Sequence, residues 1–433
     1  MTHSTVVPGT AGTMYRSGGV CQTPPVVATV EFNPLSPEFF ADPYETYRRM
    51  RDEAPVYFDE RFGFYALSRF TDVVRAHRDW QTFSSARGLR LDQLKDPTFS
   101  LPGSIIFMDP PEHDRLRKLV GRAFTPRAAE KWVPIVRAAV SRYLDPLIGE
   151  RHVDLVEQFS APFPCEVIST ILGIPESERQ RFRHNTDLVL HREPNDPNPT
   201  PEGVRAAEER SVMLRALVAE KRARPADDMI SHLADAEVDD GEGGTARMSD
   251  EEVAIFAGLL ASAGSETVAK LIGNGIVLFE RHPDQWQQVL DDPGTIPGAV
   301  EEVMRYWPPT QYQGRFSMKD SEWEGGTIPA GQAVFLLTGS ANRDEREFAD
   351  ADVFDIRRDR QQSIAIAFGH GLHVCLGAYL ARLESRIAFE EIRARLPHYR
   401  VDQDGLRRVQ MSNVAGFSNV PVEILAPRPT QAP

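Results

Sequence analysis

The segment FGHGLHVCLG, residues 368–377, contains the residues with the clearest chemical potential in this chain. Cys375 follows a glycine-rich loop and precedes a predicted helix that carries Leu376, Leu380 and Leu383 on one face. Backbone N–H groups at the start of a helix, together with the positive end of its dipole, lower the pKa of a thiol and donate to its sulfur. The pattern predicts that Cys375 is a metal ligand or a nucleophile.

Two plainer interpretations of Cys375 remain to be weighed. An isolated cysteine near a helix start is usually a packed core residue, but packing does not require the repeated close backbone approach that Gly369, Gly371 and Gly377 permit. A cysteine hydrolase would need His373 as its base, and residues two apart on a loop seldom meet. The glycines therefore shift the balance away from a packed core cysteine, and the hydrolase interpretation is weak.

A zinc site could use His370, His373 and Cys375. The sequence contains no CxxC pair, and the other cysteines, Cys21 and Cys165, lie more than 200 residues away. Zinc sites usually draw on closely spaced ligand pairs. Zinc is therefore disfavoured.

The same segment resembles, at every fixed position, the heme-binding loop FGxGxHxCxG of the cytochrome P450 superfamily. The resemblance implies that Cys375 is the thiolate ligand of a b-type heme, whose iron it supplies with electron density that favours O–O cleavage. It further implies that Phe368 packs near the sulfur, that His373 contacts a heme propionate, and that Gly369 and Gly377 belong to the cofactor site.

Glu302 and Arg305 form an i,i+3 pair in the predicted helix PGAVEEVMRYWPP. Such pairs usually lie on the solvent-exposed surface of a helix and contribute little to stability. The pair resembles the ExxR motif of the same superfamily, and FDIRR, residues 354–358, resembles its FDxxR segment. The resemblance implies that Glu302, Arg305 and Arg358 form a buried structural network that fixes the cysteine loop and takes no part in the chemistry.

Residues 252–280 are apolar on most faces and predict a long buried helix. Residues 261–265 are all small, so a flat ligand can approach closely, and Glu266 and Thr267 follow. Thr267 can donate a hydrogen bond to the carbonyl of Ala263, which would loosen the helix and leave a notch. An ordinary surface glutamate and threonine are the alternative interpretation of these two residues.

AGSET, residues 263–267, resembles the AGx(D/E)T oxygen-activation motif of the superfamily. The resemblance implies that Ala263 lies against the heme, that the Thr267 hydroxyl donates a hydrogen bond during oxygen activation, and that Glu266 helps to relay protons. This acid and alcohol pair argues against the peroxide-driven members, which generally lack it.

His113 and Arg117 lie one turn apart on a predicted helix and share a face, where they could simply be a solvated basic edge. They resemble the HxxxR of the superfamily, and Arg315 corresponds to another of its propionate partners. With His373, these residues are expected to form a cationic clamp on two carboxylates.

The composition is that of an acidic globular protein: 433 residues, a net charge of −14, 26% charged and 41% hydrophobic residues. The charge argues against a nucleic-acid-binding protein. Three distant cysteines indicate a reducing compartment without disulfides, and we expect a cytoplasmic, monomeric protein. Residues 1–30 lack the apolar stretch of a signal peptide and predict a flexible tail, and no membrane anchor is expected.

The periodicity predicts a mostly α fold with small β-sheets (α+β), in which residues 31–433 form a single domain. Predicted helices cover residues 43–54, 111–123, 127–148, 160–172 and 205–222. Predicted strands cover residues 56–58, 64–67 and 422–425, with more strand in 323–338. Long functional loops are expected at residues 84–107 and 190–202.

The resemblance implies a heme-thiolate monooxygenase that uses dioxygen, with electrons that come ultimately from NAD(P)H through a separate ferredoxin and ferredoxin reductase, because no flavin or iron–sulfur segment is visible. The basic residues Arg115, Lys118 and Arg122 are expected to steer that acidic partner. A peroxide-driven heme-thiolate enzyme and a non-catalytic heme-binding or sensor protein are the alternatives.

The substrate pocket is expected to be lipophilic and to take a terpenoid, a steroid, a fatty acid or an aromatic compound. Its predicted lining residues are Phe107, Leu259, Ala263, Gln311 and Phe417. Arg87 and Arg90 would be able to anchor a substrate carboxylate, although solvated surface arginines are the commoner case.

Overall fold

The computed structural model describes residues 30–121, 124–239, 244–359 and 366–425, and its helical character confirms the predicted fold class. The predicted tail therefore lies outside the described residues except for Val30, which is buried in a core cluster, so ordered packing includes this residue. The α-helices of the described residues are α1 (Pro37–Ala41), α2 (Tyr44–Glu53), α3 (Phe70–Arg78), α4 (Leu91–Leu94), α5 (Glu112–Gly121), α6 (Pro126–Ala129), α7 (Val133–Leu144), α8 (Pro162–Leu172), α9 (Glu176–Leu190), α10 (Pro201–Ala223), α11 (Met229–Asp235), α12 (Asp250–Arg281), α13 (Pro283–Asp291), α14 (Ile296–Tyr306), α15 (Thr338–Ala341) and α16 (Ala378–Arg395).

The strands are short and form small sheets at the sides of the helical body. They are β1 (Val56–Asp59), β2 (Phe64–Leu67), β3 (Phe83–Ser84), β4 (His152–Asp154), β5 (Glu237–Asp239), β6 (Thr245–Arg247), β7 (Gln313–Ser317), β8 (Ser321–Trp323), β9 (Gly326–Ile328), β10 (Ala333–Leu336), β11 (Tyr399–Val401), β12 (Arg407–Arg408), β13 (Phe417–Asn419) and β14 (Pro421–Ile424). The largest sheet has the order β1-β2-β10-β7-β3, in which only the β2–β10 pairing is parallel.

Helix α12 runs through the centre of the helical body and packs against α8, α10, α14 and α16. Its start is fixed by a capping box, in which the hydroxyl of Ser249 accepts from the Glu252 N–H and the Glu252 carboxylate accepts from the Ser249 N–H. By length and composition α12 could cross a membrane, but 67% of its most apolar window is buried inside the protein, as in the core helix of a globular protein.

The remaining predicted elements differ from the structure mainly where helices meet. The helix expected over residues 127–148 is divided into α6, the 3₁₀ turn Glu130–Trp132, α7 and a second turn at Asp145–Leu147. Proline at position 134 stands in the first turn of α7, where its missing N–H costs nothing, so the chain starts a new helix there. The long loop over 84–107 contains α4 and the 3₁₀ turn Ile105–Phe107.

Candidate functional site

The glycine-rich loop presents Cys375 to an internal cavity of about 270 Å³. The Cys375 N–H donates to the carbonyl of Phe368 at 2.8 Å, and this bond closes the loop just before α16 begins. Gly371 has a φ of +71°, and a Cβ at this position would overlap the carbonyl oxygen of His77 at the end of α3. Only glycine fits both demands, so the loop is held against α3 by close backbone contact.

The electrostatic environment of Cys375 differs from the sequence-based prediction. Burial raises the pKa of its thiol and outweighs the Gly377 N–H and the guanidinium groups of Arg117 and Arg382, which lower it. The helix start does donate to the sulfur as predicted, but the expected net lowering of the pKa is wrong for the protein without a metal. A coordinated metal ion deprotonates a thiol outright.

A second wall of the cavity is formed by the small residues of α12. Ala263, Gly264 and Thr267 line it, and the Thr267 hydroxyl donates to the carbonyl of Ala263 at 2.8 Å. This is the predicted hydrogen bond, although α12 continues without a break from Asp250 to Arg281 and shows no loosened turn. The cavity therefore brings a thiol on one element and a hydroxyl on another to the same space.

Glu266 is buried but does not line this cavity. Its carboxylate lies 3.2 Å from Lys270 Nζ, one helical turn further along α12, and contacts Asp187 of α9. Burial raises the pKa of Glu266, whereas Lys270 and the hydrogen bond from Asp187 lower it. The lowering effects together are larger, so the pKa of Glu266 lies below its ordinary value. The pKa of Asp187 is raised to about 8 by burial and by the negative charge of Glu266. The two carboxyl groups therefore share one proton at neutral pH.

The predicted cationic residues meet at one end of the cavity. Arg117, Arg315 and His373 line it, and the ring of His113 packs edge-on against that of His373 with centroids 4.6 Å apart. Arg117 donates to the carbonyl of Val374 at 2.7 Å, which ties α5 to the cysteine loop. Arg315, in β7, donates to the carbonyl of Gly314, and burial lowers its pKa to about 10.

This end of the cavity has buried hydrogen-bonding groups without protein partners. The Nε2 atoms of His113, His373 and His77 have no hydrogen-bond partner among the described residues. Burial and the positive charge of Arg315 lower the pKa of His373 to about 2, so its ring is neutral. Two arginines and the imidazole rings of His77 and His373 line one cavity, and this set fits a flat ligand with carboxylate groups. The donor set therefore fits a heme, with the Cys375 sulfur as its iron ligand.

Two titratable residues at the cavity, His77 and Glu384, have no counterpart in the sequence-based prediction. His77, at the end of α3, lines the cavity beside Arg315. Glu384, on α16, also lines it, and burial raises the pKa of its carboxyl well above the ordinary value. The spacing of Gly377, Leu380, Ala381 and Glu384 was a usable signal, because residues at i, i+3, i+4 and i+7 share one face of a helix.

Glu302, Arg305 and Arg358 come together as predicted from the motifs. Arg305 donates to both Glu302 oxygens at 2.7 and 2.9 Å, and Arg358 Nε donates to Glu302 at 3.3 Å. The remaining N–H groups of Arg305 reach the carbonyls of Asn342, Ala351 and Val353. This arrangement joins α14 to the irregular segment 342–358 by bonds from buried guanidinium groups.

Three of the five predicted pocket residues lie elsewhere, and only Leu259 and Ala263 line the cavity. Gln311 donates to the carbonyl of Pro308 and accepts from the hydroxyl of Tyr47. Phe417 packs against Trp307, and Phe107 against Phe99. Ile105 and Ile106, from the predicted functional loop over residues 84–107, do line the cavity, as do Thr310 and Gln313.

Neither arginine proposed for a substrate carboxylate lines the cavity. Arg90 is paired with Asp92 at 3.0 Å, and the guanidinium of Arg87 lies over the ring of Phe316. Arg122 of the predicted basic run lies outside the described residues, whereas Arg115 and Lys118 are exposed on α5.

Within the described ranges, no group of three or more His, Cys, Asp or Glu residues could hold a metal ion, so the zinc alternative has no support there.

Comparison with known proteins gives consistent matches. The family model described as Cytochrome P450 matches residues 296–425. Cytochrome P450 123 of Mycobacterium tuberculosis is 39% identical over 395 residues, which cover 91% of this chain and 97% of that protein. The erythromycin C-12 hydroxylase of Saccharopolyspora erythraea is 39% identical over 377 residues, which cover 86% of this chain and 92% of that protein.

Solved structures agree with the sequence matches. A Bacillus megaterium cytochrome P450 in complex with testosterone superposes with a TM-score of 0.81 at 31% identity, over 90% of this chain and 99% of that one. The similarity therefore extends over nearly the whole chain and includes both the cysteine loop and α12.

Proposed function

The chain belongs to the cytochrome P450 family, and from that premise we propose that it is a monooxygenase that inserts one atom of dioxygen into a lipophilic small molecule. The observation that carries the proposal is the Cys375 thiol facing an apolar cavity that is also lined by Thr267 of α12. Membership of the family implies a heme cofactor, and the bacterial relatives include named hydroxylases.

Heme b, bound through Cys375, supplies the site with dioxygen activation and the redox chemistry of its iron. In the proposal Phe368, Gly369 and Gly377 shape the loop around the sulfur. The guanidinium groups of Arg117 and Arg315 and the imidazole rings of His113 and His373 take up the carboxylates in the proposal, because charge-assisted hydrogen bonds from the two arginines are the strong ones in a buried site. Ala263 lets the flat cofactor approach α12 closely.

On α12 we assign oxygen activation to Thr267 and a part in the proton relay to Glu266. The Thr267 hydroxyl is bonded to the Ala263 carbonyl and can turn its proton into the cavity. Glu266 lies one residue earlier and faces Lys270 and Asp187, so it connects the interior of α12 with α9. Glu302, Arg305 and Arg358 hold the fold around the site and have no proposed role in the chemistry.

The proposed substrate is an uncharged or weakly polar lipophilic compound. Apart from the end with Arg117, Arg315 and the histidines, and from Glu384, Thr267, Thr310 and Gln313, the cavity is lined mainly by apolar side chains. These include Ile105, Ile106, Phe256, Leu259 and Leu260. A related protein was crystallised with testosterone and another is named for the hydroxylation of erythromycin. These ligands support the proposal of a bulky lipophilic substrate and do not identify it.

The proposed electron donors are a ferredoxin and its reductase, which draw on NAD(P)H. The exposed Arg115 and Lys118 of α5 lie on the same helix as Arg117 and provide a basic face for an acidic partner. We also propose that residues 31–433 act as one catalytic domain and that the enzyme is cytoplasmic and monomeric.

The first test is the absorption difference spectrum of the dithionite-reduced protein with and without carbon monoxide. We expect the shifted Soret band of a thiolate-bound heme in the wild type and its loss in Cys375→Ala. Cys165→Ala is the matched control, because Cys165 is a buried thiol of α8 and should leave the band unchanged. A folded wild type with no heme, or with a histidine-type spectrum, would overturn the proposal.

The second test separates a monooxygenase from the two alternatives. Lipophilic compounds that shift the spin state of the ferric protein are incubated with NAD(P)H, ferredoxin and reductase, or with hydrogen peroxide alone. We expect oxygenated product that contains one atom from labelled dioxygen only with the reductase system. Product formed with peroxide alone would indicate the peroxide-driven class. Heme binding without product in either system would indicate a non-catalytic heme protein.

A further inference from the structure

His77 is a buried histidine of α3 to which neither the motifs nor the proposed mechanism gives a role. Its side chain is 5% exposed, lies against the cavity, and belongs to an element outside the cysteine loop, α5 and β7. Burial, followed by the charge of Arg315, lowers its pKa well below the ordinary value, so the ring is neutral. A neutral imidazole has one donor and one acceptor nitrogen.

The neighbours of His77 determine which nitrogen carries the proton. Nη2 of Arg315 lies 3.5 Å from His77 Nδ1, and a guanidinium has donors only. Nδ1 is therefore the acceptor, and the proton is on Nε2. The Gln313 side chain also contacts the ring, and its carbonyl oxygen accepts from the Thr338 hydroxyl at 2.6 Å.

The Nε2 donor of His77 is buried and has no acceptor among the described residues. Leaving a buried donor unsatisfied costs about 1–3 kcal/mol, so native structures rarely keep one without a ligand or an ordered water. The ring has little room to turn away, because the side chain is 5% exposed and is enclosed by its neighbours. The donor is therefore held at the cavity edge, next to Arg315.

We propose that His77 is a further binding residue for the cofactor, and that its Nε2–H donates a hydrogen bond to the heme carboxylate bound by Arg315. The inference rests on the proposed function and extends its clamp to α3. His77 adds a donor without adding a positive charge. That matters in a region that already holds the guanidinium groups of Arg117 and Arg315, where a third buried cation would be costly.

The test compares His77→Phe, which keeps the ring and removes the donor, with His77→Gln, whose amide N–H can replace Nε2–H. Each heme-loaded protein is mixed with an excess of apomyoglobin, and the rate of heme transfer is measured. We expect His77→Phe to lose heme at least about tenfold faster than the wild type, as the loss of a hydrogen bond to a carboxylate predicts. His77→Gln should recover most of the difference.

A second measurement detects the hydrogen bond itself. The frequency of the heme propionate bending mode in the resonance Raman spectrum should shift in His77→Phe and return toward the wild-type value in His77→Gln. His370→Gln is the control, because His370 belongs to the same loop but accepts from Arg78 at 2.8 Å outside the cavity; it should match the wild type in both measurements.

Equal heme-transfer rates and equal Raman frequencies in wild type and His77→Phe would overturn the inference. If His77→Phe does not fold, His77→Met takes its place, since methionine fills space adaptably and lacks a strong donor. A faster loss of heme that His77→Gln does not reduce, with an unchanged bending mode, would assign His77 to packing alone. A wild type without the thiolate-type carbon monoxide spectrum would instead refute the proposed function.

Discussion

Lys270 and Glu266 form an ion pair inside α12, with Nζ and Oε2 3.2 Å apart and both side chains at most 5% exposed. The pair lies behind the wall of the cavity, because Thr267 faces the cavity while Glu266 faces α9. The buried Glu266 carboxylate is therefore stabilised by a lysine that is buried beside it. This relationship predicts how the helix responds when one partner is removed.

Lys270→Met is expected to destabilise the protein by about 3 kcal/mol at pH 7, because it leaves the Glu266 carboxylate buried without its counter-charge. The variant should also raise the pKa of Glu266, since the attraction that lowers it is gone. Urea unfolding measures the free energy of unfolding of both proteins at pH 7 and pH 5. The difference should shrink at pH 5, where Glu266 of the variant can take up a proton.

The control for Lys270→Met is the double variant Glu266→Gln/Lys270→Met, which removes both charges. We expect it to be more stable than the single variant, because no uncompensated charge remains. Equal stability of the single and double variants would show that the loss comes from the lysine stem and not from the charge of Glu266.

Two features predicted from the sequence depend on local structure. The cysteine loop closes through a bond between Cys375 and Phe368, and the Thr267 bond to Ala263 lies within one turn of a helix. Such short-range geometry follows from spacing alone. The contact between His77 and Arg315 joins α3 to β7, so no local pattern could indicate it.

Three predicted pocket residues do not line the cavity, and the reason is again that tertiary packing decides which way a side chain points. Thr310 lines the cavity and Gln311 does not, because the Gln311 side-chain amide is held by the Pro308 carbonyl and the Tyr47 hydroxyl. In the 3₁₀ turn Ile105–Phe107, two residues face the cavity and Phe107 turns to Phe99. Choosing between adjacent residues requires the direction of each segment, which depends on tertiary packing.

Glu384→Gln is expected to make the protein more stable relative to wild type as the pH rises. Burial raises the pKa of Glu384 well above its ordinary value, so the folded wild type binds a proton that the unfolded chain releases above about pH 4.5. The stability that this proton contributes is complete below the unfolded pKa and is lost as the pH rises toward the folded pKa. The free energy of unfolding of the wild type should therefore fall by up to about 1.4 kcal/mol per pH unit relative to the variant.

Urea unfolding of the two proteins between pH 5 and pH 8 checks the Glu384 prediction. Replacement of the exposed Glu347 by Gln controls for the general loss of a carboxylate. A stability difference between wild type and Glu384→Gln that stays constant over this range would contradict a protonated, buried Glu384.

Charge reversal on α5 tests the proposed donor surface. Lys118→Glu combined with Arg115→Glu should slow the reduction of the heme protein by ferredoxin several-fold at low salt and weaken the dependence of the rate on ionic strength. Stopped-flow reduction at a series of salt concentrations gives both quantities. Arg224→Glu, at the exposed end of α10, introduces the same kind of charge change elsewhere and should leave the rate unchanged. Similar slowing in both proteins would point to the net charge rather than to this face.

Thr267→Ala removes the only hydroxyl that α12 presents to the cavity among its described lining residues. We expect normal heme content and a normal carbon monoxide spectrum, since the hydroxyl bonds to the Ala263 carbonyl and its loss leaves the helix intact. The ratio of oxygenated product to NAD(P)H consumed should fall several-fold, with the missing electrons recovered as hydrogen peroxide, because proton delivery to the bound oxygen is impaired. Thr267→Ser retains the hydroxyl and should keep most of the coupling. Unchanged coupling in Thr267→Ala would remove this residue from oxygen activation and leave the proton to come from another route into the cavity.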